Sequence, residues 1–190
     1  NVTLKSTTAL PPVRPLSKGE IYEFSTDADF VVDSDQPILV FQYMPAWGNL
    51  SGRFDPKEFP SGVSARCPFL GTSDDVKCLG DANITPLVPI EQYRSDYTFI
   101  LPTSYNPGTN GQNHLMVIRP PGLAITLDGA PLMATFQAIG GREIGVALLD
   151  GGTHHITADM PFGVIAYGLG SYTSYATPAG LDLEPITIVQ

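Results

Sequence analysis

DGGTHHITADMPFGVIAYG, residues 150–168, decides how this chain is read, because a second stretch repeats its plan. Residues 27–43, DADFVVDSDQPILVFQY, also run from an extended apolar segment through Asp, one variable residue and Pro into an apolar segment ending in Tyr. Asp35-Gln36-Pro37 matches Asp159-Met160-Pro161, and Tyr43 matches Tyr167, at an offset of 124 residues. In a turn, Asp accepts backbone N–H bonds and Pro fixes the next φ, so each triplet is expected to be a tight turn between two strands. The echo continues upstream at an offset of 123: Val2-Thr3-Leu4 corresponds to Ile125-Thr126-Leu127, and Glu20-Ile21 to Glu143-Ile144. His154 and His155 have no counterparts, since Phe30 and Val31 stand in their places. What recurs is a structural plan. The expected organisation is a tandem duplication. Residues 1–77 would hold a partial first β-domain with a long cysteine-bearing loop, and residues 78–190 a complete second β-sandwich.

Working outward, the second half alternates short apolar runs with turn residues every 8–12 positions, the rhythm of an antiparallel β-sandwich. Strands are expected at Tyr97–Leu101, His114–Arg119, Leu123–Leu127, Pro131–Ala138, Glu143–Leu149, Thr153–Ala158 and Phe162–Tyr167. Asp128-Gly129 reads as a hairpin turn, because both central residues of the favoured type need positive φ. Ile139-Gly140-Gly141 reads as a turn and Asp150-Gly151-Gly152 as a further hairpin. In the first half, Glu20–Phe24 alternates like a half-buried strand. Pro37–Tyr43 carries apolar residues on both faces and is expected to be central, between two layers. Residues 44–92 break the pattern with Met44-Pro45, Asp55-Pro56, Phe59-Pro60 and Cys67-Pro68, turn chemistry in a stretch too long for an ordinary loop.

Composition narrows the class. Charged residues make up 15% of the chain, against roughly 25% in an average soluble domain. The 18 prolines and 19 glycines argue against long helices. The net charge of −9 opposes nucleic-acid binding, which needs a basic surface, and opposes attachment to anionic lipid. No apolar run reaches the ~20 residues of a membrane-spanning helix. The chain opens on Asn1 without a signal peptide, as a mature product or a fragment would. These features suit an extracellular or cell-surface β-protein.

Cys67 and Cys78 flank a short loop, CPFLGTSDDVKC. A disulfide between them is the natural reading, worth about 2–3 kcal/mol in the chain-entropy model. Two reduced thiols are the cytosolic alternative, and a zinc site lacks further ligands at this spacing. Asn1, Asn49 and Asn83 each begin a glycosylation sequon. Trp47, Phe54 and Phe59 either dock the long segment onto the sandwich or form a ligand-contacting surface. The run GLGSYTSY, residues 168–175, mixes tyrosines with small adaptable residues, as recognition loops do. Tyr172 and Tyr175, with Trp47, are the candidate ligand-binding residues; the alternative is a packed corner with bonded hydroxyls.

No nucleophile elbow, P-loop or dinucleotide fingerprint is present. His154 and His155 are strand neighbours and point to opposite faces, so one metal cannot take both. The expectation is one ring turned inward with a hydrogen-bond partner and one on the surface. Asp27, Asp29, Asp33 and Asp35 cluster closely enough for Ca²⁺ to be considered, but they do not follow the EF-hand spacing. No cofactor or catalytic residue is expected.

A set of motifs resembles a known family. Pro86-Leu87-Val88-Pro89-Ile90-Glu91-Gln92-Tyr93, followed by Ser95-Asp96-Tyr97-Thr98-Phe99, is similar to the opening of IgGFc-binding protein N-terminal-type domains. Ile125–Gly129, Gly152-Thr153-His154, Pro161–Val164, Tyr167-Gly168 and Ser174–Gly180 follow in the family's order. The resemblance covers residues 78–185, with residues 1–77 fitting as the preceding part of the same repeated module. Thr177 stands where an aromatic often precedes the Pro. Few charges and compact motifs fit a bacterial member. The resemblance implies secreted or surface-exposed adhesive proteins without catalytic residues. The expected function is therefore an extracellular binding or adhesion module for a protein or glycan, with neighbouring copies of the module as further partners. The alternatives are a structural repeat of a surface assembly and a carboxylate-dependent carbohydrate hydrolase.

Overall fold

A computed structural model describes residues 2–6, 15–26, 28–44, 81–105, 111–170 and 173–183. The fold is all-β and antiparallel; among the described residues the only helical turn is a 3-10 turn at Ile90–Gln92. The strands are β1 (Val2–Ser6), β2 (Phe30–Ser34), β3 (Phe41–Met44), β4 (Asn83–Pro86), β5 (Arg94–Leu101) and β6 (Gln112–Arg119). They continue with β7 (Ile125–Leu127), β8 (Ala130–Pro131), β9 (Thr135–Ile139), β10 (Arg142–Leu149), β11 (Gly152–Gly170) and β12 (Thr173–Pro178).

The opening stretch is where expectation and structure part. Residues 152–170 form one strand of 19 residues, with no turn at Asp159-Met160-Pro161. That triplet instead sits in an irregularity. Thr157 pairs with Asp96 but Phe162 pairs with Arg94, so β11 carries extra residues that β5 does not match. Proline lacks an N–H and is tolerated at such a bulge, which bends the strand. The bend lets β11 serve two half-sheets. Its first part lies between β5 and β7, and its second part between β6 and β12. The sandwich is thus one curled eight-stranded sheet folded on itself, with order β8-β7-β11-β6-β10-β9 and with β5 and β12 also paired to β11.

The core lies between the two halves. Alternation on β5 turns Tyr97, Phe99 and Leu101 inward, joined by Ile125 and Ile156. Leu115 and Val117 of β6 meet them with Phe162, Val164 and Ala166 of β11. Tyr97 and Phe162 pack edge to face with ring centroids 5.3 Å apart, and the Tyr97 hydroxyl donates to the Phe162 carbonyl at 2.5 Å. Gly163 lets the outer face close too, because a Cβ there would lie 2.3 Å from the Tyr93 ring. Arg119 lies over the Phe136 ring, 3.4 Å from its centroid, while its Nε and a terminal nitrogen each reach Glu143 at 2.9 Å.

Two hairpins follow the expected turn chemistry. Asp128 and Gly129 have φ of 51° and 80°, and Gly140 and Gly141 have 55° and 81°. Asp150-Gly151-Gly152 does not form a hairpin: β10 pairs with β6 and β9, so this segment carries the chain across to the other half-sheet. The expected return strand Pro131–Ala138 is broken into β8 and β9, which lie at opposite ends of the sheet order.

The first half departs further from the pattern. Glu20–Phe24 is not a strand. A turn at Gly19, with φ of 86°, is closed by bonds between Ser17 and Glu20, and the Phe24 ring packs tilted against Tyr22 and edge to face with Phe30 instead. Only the end of the Pro37–Tyr43 segment is a strand, and it is not central. Among the described residues β3 pairs with β4 alone in a two-stranded ribbon, and Leu39, Phe41 and Tyr43 are exposed. Yet β1 and β2 reproduce the pairing of β7 with β11. Leu4 opposes Val32, Thr3 opposes Asp33 and Val2 opposes Ser34. Leu127 opposes Ile156, Thr126 opposes Thr157 and Ile125 opposes Ala158. Under the offsets of 123 and 124 these pairs coincide residue for residue.

Candidate functional site

The half-sheet β5-β11-β7 presents an outer face. The inward positions of β5 leave Asp96, Thr98 and Ile100 pointing out, and their cross-strand neighbours on β11 are Thr157, His155 and Thr153. Thr126 of β7 continues the row beyond Thr157. β-branched residues prefer such pleated surfaces, and cross-strand threonines support one another. The result is a surface of hydroxyls and methyls with one exposed isoleucine, Ile100, and the side chains of His155 and Asp96.

Asp128 ties this face together. The positive-φ turn places its carboxylate against β11, where Oδ1 accepts the His155 backbone N–H at 2.8 Å and Oδ2 meets His154 Nδ1 at 2.7 Å. These two contacts, the backbone bond first, hold the carboxyl below its ordinary range. His154 turns inward beside Phe99, and its Nε2 lies 3.0 Å from the Asp150 carbonyl. Both ring nitrogens therefore face acceptors, and only the doubly protonated ring can donate to both. His155 turns outward and its Nε2 lies 2.9 Å from Asp96 Oδ2. Side-chain exposures of 11% for His154 and 54% for His155 match the expected inward and outward pair.

The tyrosine corner is built at the far end of β11. Tyr175 and Tyr105 both direct their hydroxyls at Asn113 Oδ1, at 2.9 Å and 2.5 Å, and Asn113 Nδ2 donates to the Pro102 carbonyl at 3.0 Å. Burial raises both tyrosine pKa values. Gly168 and Gly170 make room: a Cβ would lie 2.0 Å from the Tyr105 hydroxyl at the first and 2.4 Å from its ring at the second. Of the residues expected to meet a ligand, only Tyr175 is described, and its hydroxyl is engaged within the fold. Trp47 and Tyr172 lie outside the described residues, as do Cys67 and Cys78 with their expected disulfide. Asp27 of the acidic cluster also lies outside them. Among the described residues no group of three His, Cys, Asp or Glu side chains is placed to hold a metal ion. Of the three sequons, only Asn83 is described in full; it sits in β4 with its Oδ1 buried.

The sequence marks Asp128 only as a turn former, and nothing in its pattern singles out Asn113. Alternating glycines at 168 and 170 were the available signal, since glycine within a strand marks a close approach by another group. The sequence marks His114 only as a strand residue. It stacks on Tyr167 with centroids 4.7 Å apart and planes 6° from parallel. Its Nε2 is buried without a hydrogen-bond partner among the described residues, and burial lowers its pKa.

Compared with known proteins, residues 1–168 match one family model, described as IgGFc binding protein. No curated protein and no solved structure matches the chain.

Proposed function

The chain belongs to the IgGFc-binding protein family, and on that premise we propose that it is an extracellular, non-enzymatic binding module of a larger surface or secreted protein. The family match across residues 1–168 carries this reading. The frame supports it: β11 is paired on both sides beneath the Thr98–His155–Thr157 face, and a face held by backbone pairing on both sides binds with a smaller ordering cost. The ligand class is a protein or a glycan, met through hydroxyls, one imidazole and one exposed isoleucine. Immunoglobulin Fc is one protein to test.

Immobilised chain presented with an immunoglobulin panel and a glycan array is expected to retain one ligand class reproducibly. Substituting Thr98 and His155 together is expected to weaken that retention while the denaturation midpoint holds. Retention of no ligand would sink the reading, and recognition of sister chains alone would favour a structural repeat of a surface assembly. The Cys67–Cys78 disulfide belongs to the same extracellular reading. Intact mass should rise by two hydrogens on reduction, and no rise would remove it.

We also infer an internal duplication from the register of β1 with β2, which repeats that of β7 with β11. On this view the matching is inherited, because chance similarity of β-rich sequence does not fix a common register.

A further inference from the structure

β5 forms an edge of the folded sheet, pairing only with β11 among the described residues. The direction of its free polar groups follows from the other side of β11. The His155 carbonyl accepts the Asp128 N–H at 2.8 Å, and the His155 N–H goes to the Asp128 carboxylate. His155 therefore turns its backbone groups away from β5. Opposite it on β5 is Thr98. In an antiparallel ladder, residues facing across a non-bonded pair point their N–H and C=O outward. Thr98 thus offers both groups at the open edge, and the two-residue period makes Asp96 and Ile100 do the same. No described residue bonds to these backbone groups.

Sheets guard such edges with proline, lysine, bulges or short strands. β8 is two residues long and ends in Pro131. β12 has the β3–β4 ribbon beside it, where the Ser174 hydroxyl donates to the Asp81 carbonyl at 2.7 Å. Between Ser95 and Leu101, β5 has neither proline nor lysine, and its register is regular from Asp96 to Leu101.

We propose that β5 pairs antiparallel with β5 of a second copy of this chain, about a two-fold axis through Thr98. In that register Thr98 opposes Thr98 of the partner subunit, and Asp96 opposes Ile100 of the partner subunit. Every outward N–H and C=O of these three residues is then bonded. Threonine opposite threonine is a favourable cross-strand pair, and no like charges are opposed. Other registers lose contacts. An axis through Asp96 sets two carboxylates against each other. A smaller shift toward the N-terminus brings in Arg94, whose N–H is already given to the Tyr97 hydroxyl at 2.7 Å. A shift toward the C-terminus brings in Pro102, which has no N–H. The dimer joins the two threonine faces into one continuous surface.

Sedimentation velocity on the whole chain across concentration and salt tests this. A monomer–dimer equilibrium is expected, and salt should favour the dimer because each copy carries −9. Amide hydrogen exchange supplies the site. The Asp96, Thr98 and Ile100 amides should slow as concentration rises, while those of Tyr97, Phe99 and Leu101, already bonded to β11, should not change. Thr98→Lys places two ammonium groups at the axis and should weaken the dimer about tenfold with an unchanged denaturation midpoint. If that variant does not fold, the exchange pattern of the unmodified chain still decides. A monomer at every concentration overturns the proposal. So does a dimer in which the three amides still exchange fast, and so does protection of those amides in the monomer.

Discussion

Residues 2–43 and 125–167 share a sequence plan, and their structures agree for the first part of it. β1 meets β2 in the register in which β7 meets β11. Beyond Asp35 and Asp159 they diverge. After Asp35 the chain bends and resumes a strand only at Phe41. After Asp159 the strand continues through a bulge into the core. Leu39, Phe41 and Tyr43 are 87%, 47% and 66% exposed, while Ile165, the counterpart of Phe41, is 8% exposed. An apolar segment becomes a buried strand only when neighbours cover it. β6 and β12 flank the second region, and among the described residues β4 alone flanks the first.

The sharpest test of this contrast compares Phe162 with its counterpart Ile38. Phe162 is fully buried against Tyr97. Phe162→Ala should cost about 3–5 kcal/mol in denaturant unfolding, whereas Ile38→Ala should cost under about 0.5 kcal/mol. Equal losses would mean that Ile38 is packed as its counterpart is.

Gly163 and Leu39 come next. Gly163→Ala drives a methyl into the Tyr93 ring and should cost about 1–3 kcal/mol. Leu39→Ala should leave the midpoint in place. Asn113→Ala removes the acceptor that Tyr105 and Tyr175 share, and β3 receives no such support from a described neighbour. A loss of about 1–3 kcal/mol is expected, since the tyrosine hydroxyls lose their partner. Tyr175→Phe in the same background should then add little if the network acts as a unit.

The smallest effects are in pH. Asp128, whose counterpart is Lys5, has its pKa lowered on folding. Its stabilisation is present above the ordinary carboxylate value of 3.8 and fades as pH falls through the lower folded value. Asp128→Asn should therefore flatten the acid limb of a stability–pH curve and lower its plateau. At the alkaline end, burial raises Tyr93 from 10.0 to about 12. Its contribution is present below pH 10 and lost as pH rises through 12, so Tyr93→Phe should blunt alkaline unfolding in that window.

Local turn chemistry was readable at two of the three glycine turns, and failed at Asp150-Gly151-Gly152, where the following strand joins the other half-sheet. Asp128-Gly129 and Gly140-Gly141 turn as their sequence demands, because positive φ excludes most other residues. The inward and outward histidines follow from the two-residue period alone. The Asp159-Met160-Pro161 bulge was not readable, because Asp-x-Pro serves a turn and a bulge equally well. The choice depended on whether β6 and β12 were there to carry the strand onward. The Asn113 network joins residues from three separate segments, and only the paired glycines left a trace of it in the sequence.

By itself, the sequence determined the all-β class, the family, the Asp128-Gly129 hairpin and the Gly140-Gly141 turn. These follow from period, turn geometry and local pairing, which act over a few residues. Tertiary structure decided that residues 152–170 are one strand shared by two half-sheets, that Tyr43 is exposed where Tyr167 is half-buried, and that β5 ends a sheet with its outward polar groups unpaired among the described residues. Those outcomes depend on which distant strands arrive alongside, and the pattern of any one segment does not contain that information.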